Sequence, residues 1–219
     1  MMHEFQTKDE LFKALCNQVT ADLNNAIEKH GKATILLSGG STPKPLFHLL
    51  NQVDLAWDKV TIGLVDERFI ANTSEFSNEN LLANNLLINK AKIATFVPMV
   101  FHSGNQEKNL VLATEAYSIF KNPTVVLLGM GDDGHTASIF PNYEASENAS
   151  ISKELLANTN GPKHPTNRIT CTPFLLKKAK NTYLLFTGEN KKHVLNESVE
   201  KNYPINLFKD TITAIYFAK

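Results

Sequence analysis

The strongest constraint on this chain is a repeated alternation of two patterns. Short, nearly continuous apolar runs alternate with longer segments whose apolar residues recur at helical spacing. Ala33–Leu37, Val60–Val65, Thr124–Leu128 and Tyr183–Thr187 are runs of the first kind, with Phe96–Pro98, Arg168–Thr172 and Ile212–Phe217 as further strand candidates. The second kind begins with Leu11, Phe12, Leu15, Val19, Leu23 and Ile27, which share one helical face and are stopped by Gly31. Helices are likewise expected over Leu46–Leu50, Asn78–Leu87, Leu110–Phe120, Phe174–Ala179 and Lys191–Val199, with a short helical stretch after His135. Strands that are apolar along their whole length are buried on both faces. The alternation therefore predicts an α/β fold, an open, mostly parallel sheet with helices on both faces. Asn142–Pro165 reads as a loop between strands of that sheet, and residues 1–219 as a single domain.

Composition narrows the classes of function. A chain of 219 residues buries roughly 70–75 % of its unfolded surface and needs no disulfide or metal staple. Its 22 basic and 22 acidic residues balance, so no broad field draws it to nucleic acid or to an anionic membrane, while a local cluster of cations remains able to hold a small anion. Cys16 and Cys171 form no metal-ligand spacing and read as small core hydrophobes. Met1-Met2-His3-Glu4-Phe5 lacks the basic and apolar regions of a secretion signal, and no apolar run is long enough to span a bilayer. The expected location is the cytoplasm.

In a sheet of this kind, functional loops collect where strands end at their carboxyl termini. Ser38-Gly39-Gly40-Ser41-Thr42-Pro43 follows a strand and opens a helix. Its glycines and helix-start amides suit a phosphate, and the plainer alternative is a tight turn capped by Ser41 or Thr42. Asp66-Glu67-Arg68 ends the next strand. Arg68 can fork onto phosphate oxygens, or the triplet can be an acidic cap with a surface ion pair.

Gly129-Met130-Gly131-Asp132-Asp133-Gly134-His135 is the most informative segment. Three glycines allow a sharp bend, and an imidazole oriented by Asp133 can take a proton from water near neutral pH. Asp132 is expected to face solvent. Arg168 and Lys191 each follow or open a strand and can bring a cation to the same edge. The other histidines show no metal-ligand spacing.

Taken in order, these blocks, with Ser77-Asn78, Thr136-Ala137-Ser138-Ile139-Phe140-Pro141, Arg168-Ile169-Thr170 and Gly188-Glu189-Asn190-Lys191, resemble the 6-phosphogluconolactonase family from residue 34 to residue 191. The resemblance implies a Rossmann-like fold of the sugar-phosphate isomerase and deaminase type. It also implies hydrolysis of 6-phospho-D-glucono-1,5-lactone in the oxidative pentose phosphate pathway, with no metal or organic cofactor.

By that pattern His135 is the base that activates water and Asp133 supports it. Gly39, Gly40, Ser41 and Thr42, with Arg68, Arg168 and Lys191, hold the 6-phosphate or stabilise developing charge. The partner expected is the small phosphosugar lactone, not nucleic acid or membrane, and the chain is expected as a monomer or small homo-oligomer. Phe69-Ile70-Ala71 stands where the family often has a Val-Pro pair, and Gly161-Pro162-Lys163-His164-Pro165 matches the family's approach to Arg168 only loosely. The alternatives are a glucosamine-6-phosphate deaminase and a non-catalytic sugar-phosphate sensor. Ser138-Ile139-Phe140-Pro141 and Asp66-Glu67-Arg68 favour the lactonase over the deaminase.

Overall fold

The computed structural model describes residues 1–219. In chain order its elements are β1 (Met2–Phe5), α1 (Lys8–His30), β2 (Ala33–Leu37), α2 (Lys44–Leu50), β3 (Val60–Leu64), β4 (Asp66–Arg68), α3 (Asn78–Asn85), β5 (Thr95–Phe96) and α4 (Gln106–Ala116). There follow β6 (Val125–Leu128), α5 (Glu144–Ile151), β7 (Leu156–Asn160), β8 (Asn167–Cys171), α6 (Pro173–Leu176), β9 (Asn181–Thr187), α7 (Glu189–Asn196) and β10 (Ala214–Ala218).

Seven strands form an all-parallel sheet in the order β1-β10-β9-β6-β2-β3-β5. Every residue of the central β2 and β6 is buried, so both faces are covered, as their unbroken apolar runs require. Each fully buried Leu, Ile or Val there contributes about 1.5–3 kcal/mol relative to exposure. Gly63 in β3 leaves room for the core: a Cβ there would lie 2.7 Å from the Phe120 ring and 2.9 Å from Leu36 Cδ2.

The first helix shows how local signals set boundaries. Thr7 Oγ1 accepts from Glu10 N at 3.2 Å while Thr7 N donates to Glu10 Oε2 at 3.1 Å, a reciprocal cap. At the other end Gly31 adopts φ 73° and donates to Ile27 O. Between them Leu11, Leu15, Val19 and Leu23 are buried along the predicted stripe.

Three expectations need correction. Arg168–Thr172 is a strand, but it belongs to a second, antiparallel sheet of order β4-β8-β7. The chain passes between the two sheets at Val65, whose N–H donates to Leu37 O on the large sheet and whose carbonyl accepts from Cys171 N on the small one. Asn142–Pro165 is not one loop: it contains α5 and β7. In α5 only Ser146 and Ala149 are buried, and in β7 only Leu156 and Thr159, so neither carries an apolar period long enough to stand out. Finally, no helix follows His135 directly, and residues 136–143 are non-helical. Ile139 N bonds back to Thr136 O, and Ala137 holds φ 52°, which closes a tight turn instead. No helix is long and apolar enough to cross a membrane.

Candidate active site

The strand order explains why distant segments meet. β9, β6 and β2 are neighbours and parallel, so the loops leaving their carboxyl ends, at residues 188–191, 129–135 and 38–43, lie side by side. The passage from β3 into β4 at Val65 carries Arg68 to the same edge, and β8 pairs Arg168 directly opposite Arg68.

The loop after β2 presents its backbone. Gly40 takes φ 95°, and a Cβ on Gly39 would fall 2.0 Å from Asn78 Oδ1, so the chain passes too close for any side chain there. The helix cap falls on Pro43 without a side-chain bond, so neither Ser41 nor Thr42 is spent as a cap. Nor do the N–H groups of Gly39, Gly40, Ser41 and Thr42 find backbone acceptors. Successive donors left open before a helix are suited to an anion.

Asp66-Glu67-Arg68 divides its labour. Glu67 is buried, and its carboxylate accepts from Arg68 N, Asn78 N, Glu79 N and Ser77 Oγ at 2.6–2.9 Å. It is the acidic cap considered from sequence, tying β4 to the first turn of α3. Burial pushes its carboxyl up to about 7, although all four donors favour the charged form. Arg68 makes no surface ion pair; its Nη1 donates to Phe76 O at 2.6 Å. Asp66 Oδ2 accepts from Ser138 Oγ at 2.5 Å, and Asn78 Nδ2 donates to Asp66 O at 2.8 Å.

The turn after β6 fixes the imidazole. Gly131 N bonds to His135 O and Gly134 N to Gly131 O, with Gly134 at φ 73°. Asp133 Oδ1 meets His135 Nδ1 at 2.5 Å and also accepts from the His135 backbone N–H at 3.1 Å. An ionised carboxylate only accepts, so Nδ1 carries the proton of this bond, and in the neutral ring the lone pair is then on Nε2. Burial raises the Asp133 carboxyl, but its bonds and charge contact with His135 outweigh that and hold it below the ordinary carboxylate value. Phe140 lies against the ring, centroid to centroid 4.4 Å.

Two adjoining cavities result. One, of about 260 Å³, is lined by the loop 38–43, Arg68, Gly129–Gly131, His135 and Lys191. The other, of about 400 Å³, is lined by Asp133, Lys163 and Arg168, and shares Asp66, Arg68, Gly131, His135, Ala137 and Lys191 with the first. All nine residues singled out from sequence thus border one or other cavity. None of Arg68, Arg168 and Lys191 forms an ion pair with a carboxylate. Arg168 is 5 % exposed, and burial, followed by the charge of Arg68, lowers its affinity for its proton. The charges of Asp66 and Glu67 act on Arg168 in the opposite sense, but no carboxylate is salt-bridged to any of the three cations, which suits the group to an anionic ligand.

Sequence reasoning passed over Asp66, Asn78 and Lys163 as individual site residues. All three stand in segments of the family resemblance, Lys163 in the loosely matching Gly161–Pro165, but it reaches the second cavity only through the turn before β8. Asp132 is exposed, as expected.

Known proteins resemble the whole chain. The family described as glucosamine-6-phosphate isomerases/6-phosphogluconolactonase matches residues 6–216. A 6-phosphogluconolactonase of Neisseria meningitidis is 35 % identical over 213 residues, covering 94 % of this chain and 92 % of its own. One from Helicobacter pylori is 33 % identical over 225 residues, covering 100 % and 98 %. The crystal structure of a 6-phosphogluconolactonase from Shewanella baltica superposes with a TM-score of 0.93 at 33 % identity, covering 100 % of this chain and 96 % of that one.

Proposed function

Because the chain belongs to the glucosamine-6-phosphate isomerase/6-phosphogluconolactonase family, we propose that it hydrolyses 6-phospho-D-glucono-1,5-lactone to 6-phosphogluconate by general-base activation of water at His135. It is an enzyme, a hydrolase acting on a lactone in the pentose phosphate pathway. The observation that carries the mechanism is the Asp133–His135 hydrogen bond, which commits Nδ1 as donor and leaves Nε2 as the free ring nitrogen of a residue that lines both cavities.

A lactone carbonyl is electrophilic enough to be attacked by water without a covalent enzyme intermediate. As the water oxygen bonds to C1, its proton passes to His135 Nε2, and Asp133 stabilises the imidazolium that forms. The carbonyl oxygen gathers negative charge near the unpaired cations. When the C1 bond to the ring oxygen breaks, the proton on Nε2 moves to that oxygen, and His135 is neutral again. The open amides of Gly39–Thr42, with Arg68 and Lys191 in the same cavity and Arg168 in the adjoining one, supply donors for the phosphate and for the oxyanion. Anchoring the phosphate fixes C1 against the base, which lowers the entropic part of the barrier. We place the reaction in the cytoplasm, with the chain working as a monomer or small homo-oligomer on a small phosphosugar.

Purified protein assayed on the lactone and on glucosamine 6-phosphate tests this. Lactone opening well above its spontaneous rate, with no ammonia from the amino sugar, is the expected outcome. Ammonia release without faster lactone opening would establish the deaminase instead.

A further inference from the structure

The two cavities differ in what is exclusive to each. The glycine loop borders only the first, whereas Lys163 and Arg168 border only the second; His135 lies between, on the wall of both. Arg168 is fixed in place: Nη1 donates to Asn167 O and Nη2 to Lys163 O, both at 3.2 Å. Two of its five N–H groups are thereby used, and the rest meet no carboxylate. The acids of this cavity are otherwise engaged or turned outward. Asp133 holds His135, Asp66 holds Ser138, and Asp132 is exposed. Lys163 sits on an exposed turn whose ends are joined by Gly161 N to Thr166 O at 2.7 Å. Phe140 links the groups, its ring against His135 on one side and close to Gly161, beside the Arg168 guanidinium, on the other.

From this separation we infer that Arg168 and Lys163 form a second anion subsite, which takes the C1 carboxylate of the opened sugar acid while the glycine loop keeps the phosphate. The inference rests on the functional reading for where C1 lies, since the carbon attacked at His135 is the one that becomes the carboxylate. A phosphate gripped at residues 39–42 directs the other end of the sugar past the imidazole, towards the only cations that the loop's cavity lacks. The substrate carries no formal charge at C1, so this subsite engages fully only after ring opening. The consequence is a product held at both ends and a lactone held at one.

The test compares two ligands with the same phosphate and carbon chain, 6-phosphogluconate and glucitol 6-phosphate, which has an alcohol in place of the carboxylate. Titration calorimetry with the wild-type protein is expected to show about 10- to 100-fold tighter binding of 6-phosphogluconate, the range for a charge-assisted contact. Arg168→Met should remove most of that preference and leave glucitol 6-phosphate within about threefold. Because Arg168 is buried, Lys163→Glu on the exposed turn provides an independent reading. It should weaken 6-phosphogluconate selectively through like-charge repulsion. Parallel weakening of both ligands would assign these cations to the phosphate, and an unchanged preference in both variants would remove them from the site; either result overturns the inference. A wild-type protein that opens no lactone would instead overturn the functional reading, since the ligand comparison does not depend on turnover.

Discussion

One carboxylate oxygen decides what His135 can do. Asp133 Oδ1 takes both the side-chain and the backbone proton of the same residue, so the ring is held in one tautomer and one orientation. His135→Ala should lower kcat by about 10²–10⁴ while 6-phosphogluconate binding changes little, because the phosphate donors are elsewhere. Steady-state kinetics beside calorimetry checks both halves, and undiminished turnover would remove His135 as the base. Gly131 protects the arrangement by having no side chain: a Cβ there would lie 2.1 Å from His135 Nδ1 and 2.7 Å from Asp133 Oδ1. Gly131→Ala should therefore depress kcat, with far-ultraviolet circular dichroism unchanged; full activity would mean that the ring tolerates displacement. At this scale the sequence was informative where a motif is local, as in Gly129–His135. It carried no sign of contacts that form only through tertiary folding. Asn78 lies against Gly39 from another element, and Lys163 enters through a turn whose place depends on β8.

Among the elements, those with unbroken apolar runs were readable, and those stabilised mainly by partners were not. β2 was placed to the residue. β4 is only Asp-Glu-Arg, extended because β8 pairs with it, and β1 is an exposed edge strand whose side chains advertise no burial. The join between β4 and α3 depends on Glu67, and this gives a pH signature. Its folded pKa, about 7, lies above its ordinary value of 4.5, so the folded state binds the proton more tightly than the unfolded one. The corresponding stability is fully present below about pH 4.5 and is lost as pH rises through 7. Urea unfolding of wild type and Glu67→Gln between pH 5 and 8 isolates the effect. The stability advantage of wild type should shrink between pH 5 and pH 8 by about 2.5 kcal/mol. A constant or widening advantage would show that the four donors keep Glu67 ionised throughout.

For the molecule as a whole, pairing between remote strands does what no single motif can. The order β9-β6-β2 sets three loops side by side, and the exit at Val65 adds the small sheet with its arginines. The parallel sheet was legible from alternation alone. The second sheet was not, because its strands are short and polar and are specified by one another. Tight packing holds this frame together: Gly63→Ala should cost about 1–3 kcal/mol by pressing on Phe120 and Leu36, seen as a lower Tm with KM unchanged. An unaltered Tm would mean the core yields there. The most direct measurement is a crystal structure with 6-phosphogluconate bound. It should show the phosphate on the amides of Gly39–Thr42 and C1 beside His135 Nε2; a phosphate seated away from that loop, or C1 beyond reach of the imidazole, would contradict the account.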